Sequence, residues 1–385
     1  MAKSSDVARY APFALGALAL AVGLVLAGLP ELSDRSGEAG TQGTPDGGGP
    51  EAGLDGGDRP DGAVAPQPPR PERYVPDLSG EDVGQLVVAK PRSSHGLVVA
   101  AGQLVWLTTE AATVFAAPLA GGAARPIFRS PADEAFGGSL VATQTKLCWS
   151  VERADGGAES IVCLPKQALG EGEPAPKPVI TEGSPGHLTA RGDDLLWVDQ
   201  GVIMTLPAGQ AAPQVVLDRR QLIAGLVVAG ERLAWLEVPY ESATRGGHAV
   251  MAVASEGDDA QPRTLARPVA GHHRELLVAS GAQPYWVEGK EQGPWWLVTV
   301  AGGTTRKLTE TGAVTALASA EAALYWAELH GEGDATVTLL RSLTLPDGKP
   351  QRLGRDSGPV PALTVHDGAL FWATSQGIKR LALAE

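Results

Sequence analysis

The chain has 385 residues and a formal net charge of −13 at pH 7. Nucleic acids and anionic lipid surfaces are bound mainly by clustered lysine and arginine. No basic run in this sequence is longer than two residues, as in Arg219-Arg220. We therefore expect no nucleic-acid partner, and we interpret the acidity as a contribution to solubility.

The first predicted element is an apolar segment, residues 11–30, which carries no charged side chain. A helix of about 20 such residues is long enough to cross a bilayer core of about 30 Å. Lys3 and Arg9 precede the segment, and acidic residues follow it. This asymmetry favours residues 1–10 in the cytoplasm and the rest of the chain outside it. A cleaved signal sequence is the alternative, but the length of the apolar stretch favours an uncleaved transmembrane helix.

Residues 31–79 are rich in Gly, Pro, Asp, Glu and Ala and contain almost no Val, Ile or aromatic residue. Such a segment buries too little apolar surface to offset the entropy lost on ordering. We therefore expect a disordered linker. About 50 flexible residues span on the order of 40 Å, which would hold a following domain away from a membrane surface.

Residues 80–385 contain seven repeats, each marked by a tryptophan with a leucine nine positions before it. The unit Gly96–Phe128 predicts four antiparallel strands, because short β-branched and aromatic runs alternate with Gly-containing turns. Four strands in about 44 residues is the period of a β-propeller blade. The sequence therefore predicts an all-β, seven-bladed propeller in which the repeat tryptophans are structural. These are Trp106, Trp149, Trp197, Trp235, Trp286, Trp326 and Trp372.

The two ends of the repeat region predict how the ring closes. The seventh repeat lacks a fourth strand, whereas a strand without partners, Gln85–Val88, precedes the first repeat. Its distance to Leu97 matches the spacing between a fourth strand and the next repeat elsewhere. We expect this N-terminal strand to complete the last blade, which would leave only short, protected edges.

Three tryptophan motifs, Leu324–Glu328, Pro284–Glu288 and Leu195–Asp199, resemble degenerate YWTD/TolB-like β-propeller repeats of bacterial, membrane-anchored proteins. The resemblance covers roughly residues 84–385. It implies a binding or assembly module and transfers no active-site residue. The chain departs from the family in two ways. Family members commonly have six blades, and the other repeats of this chain are expected to lack the acidic residue after the tryptophan, as with Leu107-Thr108 and Ser150-Val151.

The only two cysteines, Cys148 and Cys163, lie on adjacent predicted strands of the second repeat. A hairpin centred on Asp155-Gly156 would place them opposite each other, within about 4.5–5.5 Å, where a disulfide can form. An exported domain would permit the bond. Two buried free thiols are the alternative, and the sequence leaves both open. The pair alone is a poor metal site, because no histidine lies at ligand spacing.

The loops that join the fourth strand of one blade to the first strand of the next should share one face. Loops of a rigid ring commonly bind ligands, so we predict a ligand-binding surface there. Its residues are His95, His187, His272, His273, Arg274 and Glu275. Predicted channel positions carry small neutral residues apart from Arg191 and His366, so we expect no metal and no cofactor. No nucleophile elbow, P-loop or dinucleotide motif is present, so no catalytic residue is predicted.

These features predict a non-catalytic binding or scaffolding module. It would be anchored by a single pass in the inner (cytoplasmic) membrane of a bacterial envelope, with the propeller on the periplasmic or extracellular side. The expected partner is another envelope protein or a cell-wall glycan. One alternative is a lactonase-like hydrolase or lyase, which would need His95, His187, His273 and Glu275 to converge on one pocket. A purely structural spacer is another.

Overall fold

A computed structural model describes residues 76–89, 94–108, 112–131, 134–153, 159–170, 176–219, 221–238, 248–254, 261–269, 271–290, 293–331 and 335–383. The cytoplasmic segment 1–10, the apolar segment 11–30 and nearly all of the linker 31–79 therefore lie outside the described residues. In the part that is described, 28 strands form seven four-stranded antiparallel sheets.

Each sheet is one blade, and its strands follow one another along the chain. Blade 1 contains β2 (Ser94–Ala100), β3 (Gln103–Thr108), β4 (Thr113–Pro118) and β5 (Arg125–Arg129). Blade 2 contains β6 (Glu134–Ala142), β7 (Lys146–Arg153), β8 (Ser160–Pro165) and β9 (Lys177–Ile180). Blade 3 contains β10 (Pro185–Arg191), β11 (Asp194–Asp199), β12 (Val202–Leu206) and β13 (Gln214–Asp218). Blade 4 contains β14 (Leu222–Ala229), β15 (Arg232–Val238), β16 (Ala249–Ala254) and β17 (Arg263–Ala266).

The remaining blades complete the ring. Blade 5 contains β18 (His273–Ser280), β19 (Gln283–Gly289), β20 (Trp295–Ala301) and β21 (Thr304–Thr311). Blade 6 contains β22 (Ala313–Ala320), β23 (Ala323–His330), β24 (Val337–Thr344) and β25 (Gln351–Ser357). Blade 7 contains β26 (Leu363–His366), β27 (Ala369–Ala373), β28 (Gly377–Ala382) and, from the other end of the chain, β1 (Gln85–Ala89).

The position of β1 confirms the predicted closure of the ring. It pairs antiparallel with β28, so that Gln85 lies opposite Arg380. The first strand of each blade packs against the first strands of its neighbours, and β2 against β26 joins the two ends. The fold is therefore a seven-bladed propeller, as the repeat count predicts.

The nine-residue spacing between leucine and tryptophan has a direct structural cause. In five blades the two residues are cross-strand partners of the hairpin between the first and second strands, as in Leu97 opposite Trp106. In blades 3 and 5 a β-bulge displaces the leucine from this register. All seven tryptophans are at most 1% exposed, so they form the packing between blades.

Helical structure contributes little to the described residues. They include a 3-10 helix, Lys166–Gly170, after β8. No helix in the described part of the chain is both long and apolar enough to cross a membrane.

Cys148 on β7 lies directly opposite Cys163 on β8. Their Cα atoms are 4.2 Å apart, and the two sulfurs are bonded to each other. Of the two alternatives left open by the sequence, the structure therefore has the disulfide.

Candidate ligand-binding site on the loop face

The ring has two distinct faces. The loop face carries the connections between blades and the hairpins between second and third strands, and the turn face carries the other turns. The predicted site residues all lie where connections enter the first strands at the loop face. His95 lies in β2, and the structure describes its backbone but not its side chain.

Arg274 is buried and links blade 4 to blade 5, which corrects the prediction that it recognises a ligand at the surface. Its side chain is 2% exposed. The guanidinium donates to Glu288 Oε2 at 2.6 Å, and also to the backbone carbonyls of His248, Ala266 and Arg267 in blade 4 or its exit. All three nitrogens of the guanidinium thus bond to blade 4, its exit or blade 5, and the burial of the side chain keeps it from a ligand at the surface.

His272 belongs to the same cluster, because it also contacts Glu288. Its Nδ1 lies 3.1 Å from Glu288 Oε1, and its side chain is 17% exposed. Burial by itself would raise the pKa of Glu288, but the hydrogen bond and charge of Arg274, with bonds from Trp286 and His272, lower it below its usual value. Glu288 is therefore held as a carboxylate at the centre of the cluster.

His273 and Glu275, like His272, stay partly open to solvent, but neither bonds to Glu288 in the described structure. Burial raises the pKa of Glu275, and the charge of His273 partly offsets that rise. His248, which immediately precedes β16, lies beside them and donates its Nδ1 hydrogen to the carbonyl of Arg274 at 2.6 Å. Burial lowers the pKa of His248 below its usual value, and the charges of His273 and Arg274 lower it as well, although the hydrogen bond to the Arg274 carbonyl acts in the opposite direction. Its Nε2 is then left as an acceptor.

His187 stands apart in blade 3. It sits in a bulge of β10 with a left-handed backbone, φ 50°, which turns its side chain away from the regular strand pattern. The side chain is exposed to solvent, yet burial among surrounding protein atoms lowers the pKa of the imidazole. Among the described residues, His187 makes no ion pair or hydrogen bond with His273 or Glu275.

The described histidines and acidic residues of the loop face do not form a metal site. No group of three or more His, Cys, Asp or Glu side chains within the described ranges could hold a metal ion.

The sequence analysis missed a set of buried carboxylates beneath the loop face. In blades 4–7 each tryptophan Nε1 donates to a carboxylate that is at most 6% exposed. The pairs are Trp235 with Glu237 (3.1 Å), Trp286 with Glu288 (3.3 Å), Trp326 with Glu328 (2.6 Å) and Trp372 with Asp356 (2.7 Å). The signal was visible at Glu237, Glu288 and Glu328, each of which follows its tryptophan by two positions. The prediction that the acidic residue is missing outside the three motifs is therefore wrong for blade 4, where Glu237 occupies that position.

Basic side chains compensate these carboxylates. Arg219, which follows blade 3, donates twice to Glu237 at 3.0 Å. Arg341 lies 3.4 Å from Glu328, and Lys379 lies 2.9 Å from Asp356. With Arg274, these pairs join neighbouring strands and blades. The loop face is thus built on a rigid ionic layer, and its open groups lie above that layer.

The open groups include two apolar side chains on either side of blade 4. Leu222 opens β14 and is 38% exposed, and Val269 precedes β18 and is 41% exposed. Together with His273 and Glu275 they form a mixed apolar and polar rim, which we call the blade 4–5 rim.

No protein-family model matches the chain, and no curated protein matches it in sequence. Solved structures do match. A puromycin-hydrolysing peptidase from Mycobacterium tuberculosis is 19% identical over 73% of this chain and 48% of its own, with a TM-score of 0.53. A prolyl endopeptidase is 12% identical over 78% and 51%, with a TM-score of 0.51. The extracellular domain of a putative one-component system from B. thetaiotaomicron is 10% identical over 78% and 39%, with a TM-score of 0.53.

These likenesses establish the propeller fold alone. The chain spans about half of the two peptidase chains, 48% and 51%, and 39% of the one-component system's domain. Neither the peptidase activities nor a sensor role follows for this chain from such partial, distant matches.

Proposed function

We propose that this protein is an extracytoplasmic β-propeller that acts as a non-catalytic binding or scaffolding module for an envelope protein or a cell-wall glycan. The ionic layer of the loop face carries the proposal. Because Arg274 binds Glu288 of blade 5 and also backbone carbonyls of blade 4 and its exit, it joins the two blades beneath the open rim. The similarity to an extracellular propeller domain is consistent with this role.

The disulfide supports placement outside the cytoplasm. Cys148 and Cys163 are the only cysteines of the chain, and they are joined to each other. Such bonds form and persist in oxidising compartments and are rare in the cytosol. The apolar segment 11–30 and the linker 31–79 would then provide a single-pass anchor and a spacer.

The blade 4–5 rim supports recognition by shape and mixed polarity. Leu222 and Val269 supply exposed apolar surface, and His273 and Glu275 supply polar groups between first strands. A rigid platform orders few side chains when a partner binds, so less of the contact energy is lost to entropy. A partner that presents an apolar group flanked by hydrogen-bonding groups would fit this rim.

The test is site-specific photo-cross-linking of the full-length chain in its membrane. We expect a photoreactive residue at position 222 or 269 to give one defined adduct that survives a chelator. The matched control is position 215, since Val215 is also an exposed apolar residue, 62% exposed, but lies on the outer strand β13. Adducts of equal yield at position 215, or none at the rim, would contradict the binding module.

Two further measurements test the enzyme alternative and the membrane topology. Metal-dependent hydrolysis that is lost on Glu275→Gln substitution would support a hydrolase or lyase instead of a binding module.

Protease added to spheroplasts should degrade a C-terminal tag on the full chain, because the propeller would lie outside the inner membrane. Protection of the tag until the membrane is disrupted would contradict export.

A further inference from the structure

A cavity of about 70 Å³ opens between blades 4 and 5 on the turn face, opposite the blade 4–5 rim. Its floor is formed by Ala234 on β15 and Ala252 on β16, which lie directly opposite each other. Both alanines are at most 3% exposed.

The cavity exists because blade 4 carries the smallest side chain at a repeated position. The residue before each repeat tryptophan is alanine in blade 4 and larger in every other blade: Val105, Cys148, Leu196, Tyr285, Tyr325 and Phe371. In blade 2 the equivalent opposed pair is Cys148 and Cys163, and their disulfide fills the space. The corresponding cavity between blades 2 and 3 is only about 20 Å³.

Two arginines flank the alanine floor. Arg232 precedes Ala234 by two positions on β15, and Arg263 on β17 lies opposite Ala252, so the strand alternation puts all of them on one side of the blade. Both arginines are exposed and line the cavity. Within the described part of the chain, neither guanidinium has a hydrogen bond or an ion pair. Among the described residues that line the cavity there is no carboxylate, so Arg232 and Arg263 make its lining positively charged.

The cavity between blades 2 and 3 lacks this property. Lys146 takes the position of Arg232 there, and Asp193 lines the same cavity. Burial would raise the pKa of Asp193, but hydrogen bonds from Thr145 and Thr143 and the charge of Lys146 lower it. Lys146 therefore has an anion in the lining of the same cavity, whereas no carboxylate is among the described residues that line the cavity between blades 4 and 5.

We propose that the cavity between blades 4 and 5 binds a carboxylate carried on a short apolar stem. The planar guanidinium fork matches carboxylate geometry and forms charge-assisted hydrogen bonds. Leu265, Pro284 and Val300 provide apolar walls for the stem. A volume of about 70 Å³ admits a group of only a few heavy atoms. The carboxylate belongs either to a free short-chain acid or to the C-terminus of a polypeptide.

The experiment is an NMR titration of the full-length chain in detergent with butyrate, and with butyramide as the uncharged match. We expect saturable binding of butyrate alone. Arg232→Gln and Arg263→Gln should each weaken it roughly tenfold, as expected for loss of a charge-assisted hydrogen bond. Ala234→Leu should abolish binding by filling the cavity, and leucine is already present at the equivalent position of blade 3, Leu196.

The matched control is Lys177→Gln. Lys177 lies opposite Cys163 in blade 2, as Arg263 lies opposite Ala252 in blade 4. Binding should be unchanged in this variant. Equal affinity for butyramide, or an equal loss with Lys177→Gln, would overturn the proposal, and so would unaltered binding in Arg263→Gln, a surface change that leaves the core intact.

Two further ligands identify the source of the carboxylate. A short peptide ending in valine with a free C-terminus is compared with the same peptide amidated. Tighter binding of the free peptide than of butyrate assigns the site to a polypeptide terminus, and the reverse assigns it to a free acid. Inorganic phosphate that displaces butyrate at equal concentration would show a general anion site and overturn the inference.

Discussion

The seven repeat tryptophans occupy equivalent positions, but their surroundings divide the ring into two regions. In blades 4–7 every indole N–H donates to a buried carboxylate, whereas in blades 1–3 the Nε1 atoms of Trp106, Trp149 and Trp197 have no partner in the described part of the chain. In blades 1 and 2 the tryptophan rings instead contact phenylalanine rings. Phe115 stacks on Trp106 at 5.8 Å, and Phe128 packs against Trp149 at 5.3 Å.

The difference shows that one repeat can be secured in two ways. A buried carboxylate is stable only when a cation and further donors compensate its desolvation. Blades 4–7 provide both, and in blades 5 and 6 the cation, Arg274 or Arg341, also lies over the indole ring at 5.8 Å. Blades 1–3 avoid that desolvation and contain the single disulfide instead. The two regions should therefore respond to different perturbations.

The largest expected effect is the loss of a buried carboxylate from blades 4–7. Asp356→Ala would leave the Lys379 amine, 7% exposed, without the acceptor at 2.9 Å, and would also orphan the Trp372 indole N–H. Breaking a buried pair in this way destabilises by about 3–5 kcal/mol. Urea unfolding followed by tryptophan fluorescence measures the change.

The control is an ion pair of similar length at the surface. Arg306 and Asp347 are 2.6 Å apart but 46% and 70% exposed, so Asp347→Ala should cost less than about 1 kcal/mol. If the two variants lose similar stability, the buried carboxylates are not what secures blades 4–7.

Reduction is expected to act on the other region. Cleaving the Cys148–Cys163 bond, which closes a separation of 15 residues, should lower the free energy of unfolding by about 3 kcal/mol. Hydrogen exchange should accelerate in β7 and β8 and stay unchanged in β15 and β16. The double substitution Cys148→Ala and Cys163→Ala would give blade 2 the same opposed alanine pair that blade 4 has. It should lower the free energy of unfolding and accelerate exchange in the same way as reduction. Acceleration spread evenly over all blades would contradict two separately secured regions.

The architecture could be predicted because its signal is repeated and local. The leucine and tryptophan of a repeat are cross-strand neighbours, so a tight turn fixes their spacing within one hairpin. Closure by β1 was predictable for the same reason, since the missing strand of blade 7 and the extra strand before blade 1 are complementary.

The chemistry of the loop face was harder to predict because its partners come from other strands and blades. Arg219 reaches Glu237 from the end of blade 3, and Asp356 of blade 6 reaches Trp372 of blade 7. Arg274 was assigned to recognition because it follows a connection, yet its neighbours in blade 4 bury it completely. A fully buried carboxylate two positions after a tryptophan, such as Glu288, requires a cation, and that requirement is the signal that could have identified Arg274 as structural.

A smaller effect is expected from Glu159, at the loop face between blades 2 and 3. Burial and the charges of Glu152 and Asp199 raise the pKa of Glu159 to about 7. A folded pKa above the unfolded value of 4.5 means that folding favours the protonated form, so stability is lost as pH rises from about 4.5 to 7. Because the side chain is partly solvated, the loss should be only about 1 kcal/mol.

Glu159→Gln should remove this loss and be more stable than the native chain at pH 8, with no gain at pH 4. Thermal unfolding across pH 4–8 measures it. The exposed carboxylate of Glu182, in the nearby connection to blade 3, provides the control, and Glu182→Gln should leave the profile unchanged. A native profile that stays flat from pH 4.5 to 7 would contradict the raised pKa.

The smallest effect would come from giving blade 3 the hydrogen bond of blades 4–7. Asp199 follows Trp197 by two positions, as Glu237 follows Trp235, but it is one methylene shorter and its Oδ1 accepts from the Ser184 amide at 2.9 Å. Asp199→Glu should let the carboxylate reach the indole while weakening the Ser184 contact, so the free energy of unfolding should change by less than about 1 kcal/mol. The decisive readout is the Trp197 indole proton, which should move downfield in the NMR spectrum while that of Trp149 does not. An unmoved Trp197 signal would show that backbone position, and not side-chain length, separates blade 3 from blades 4–7.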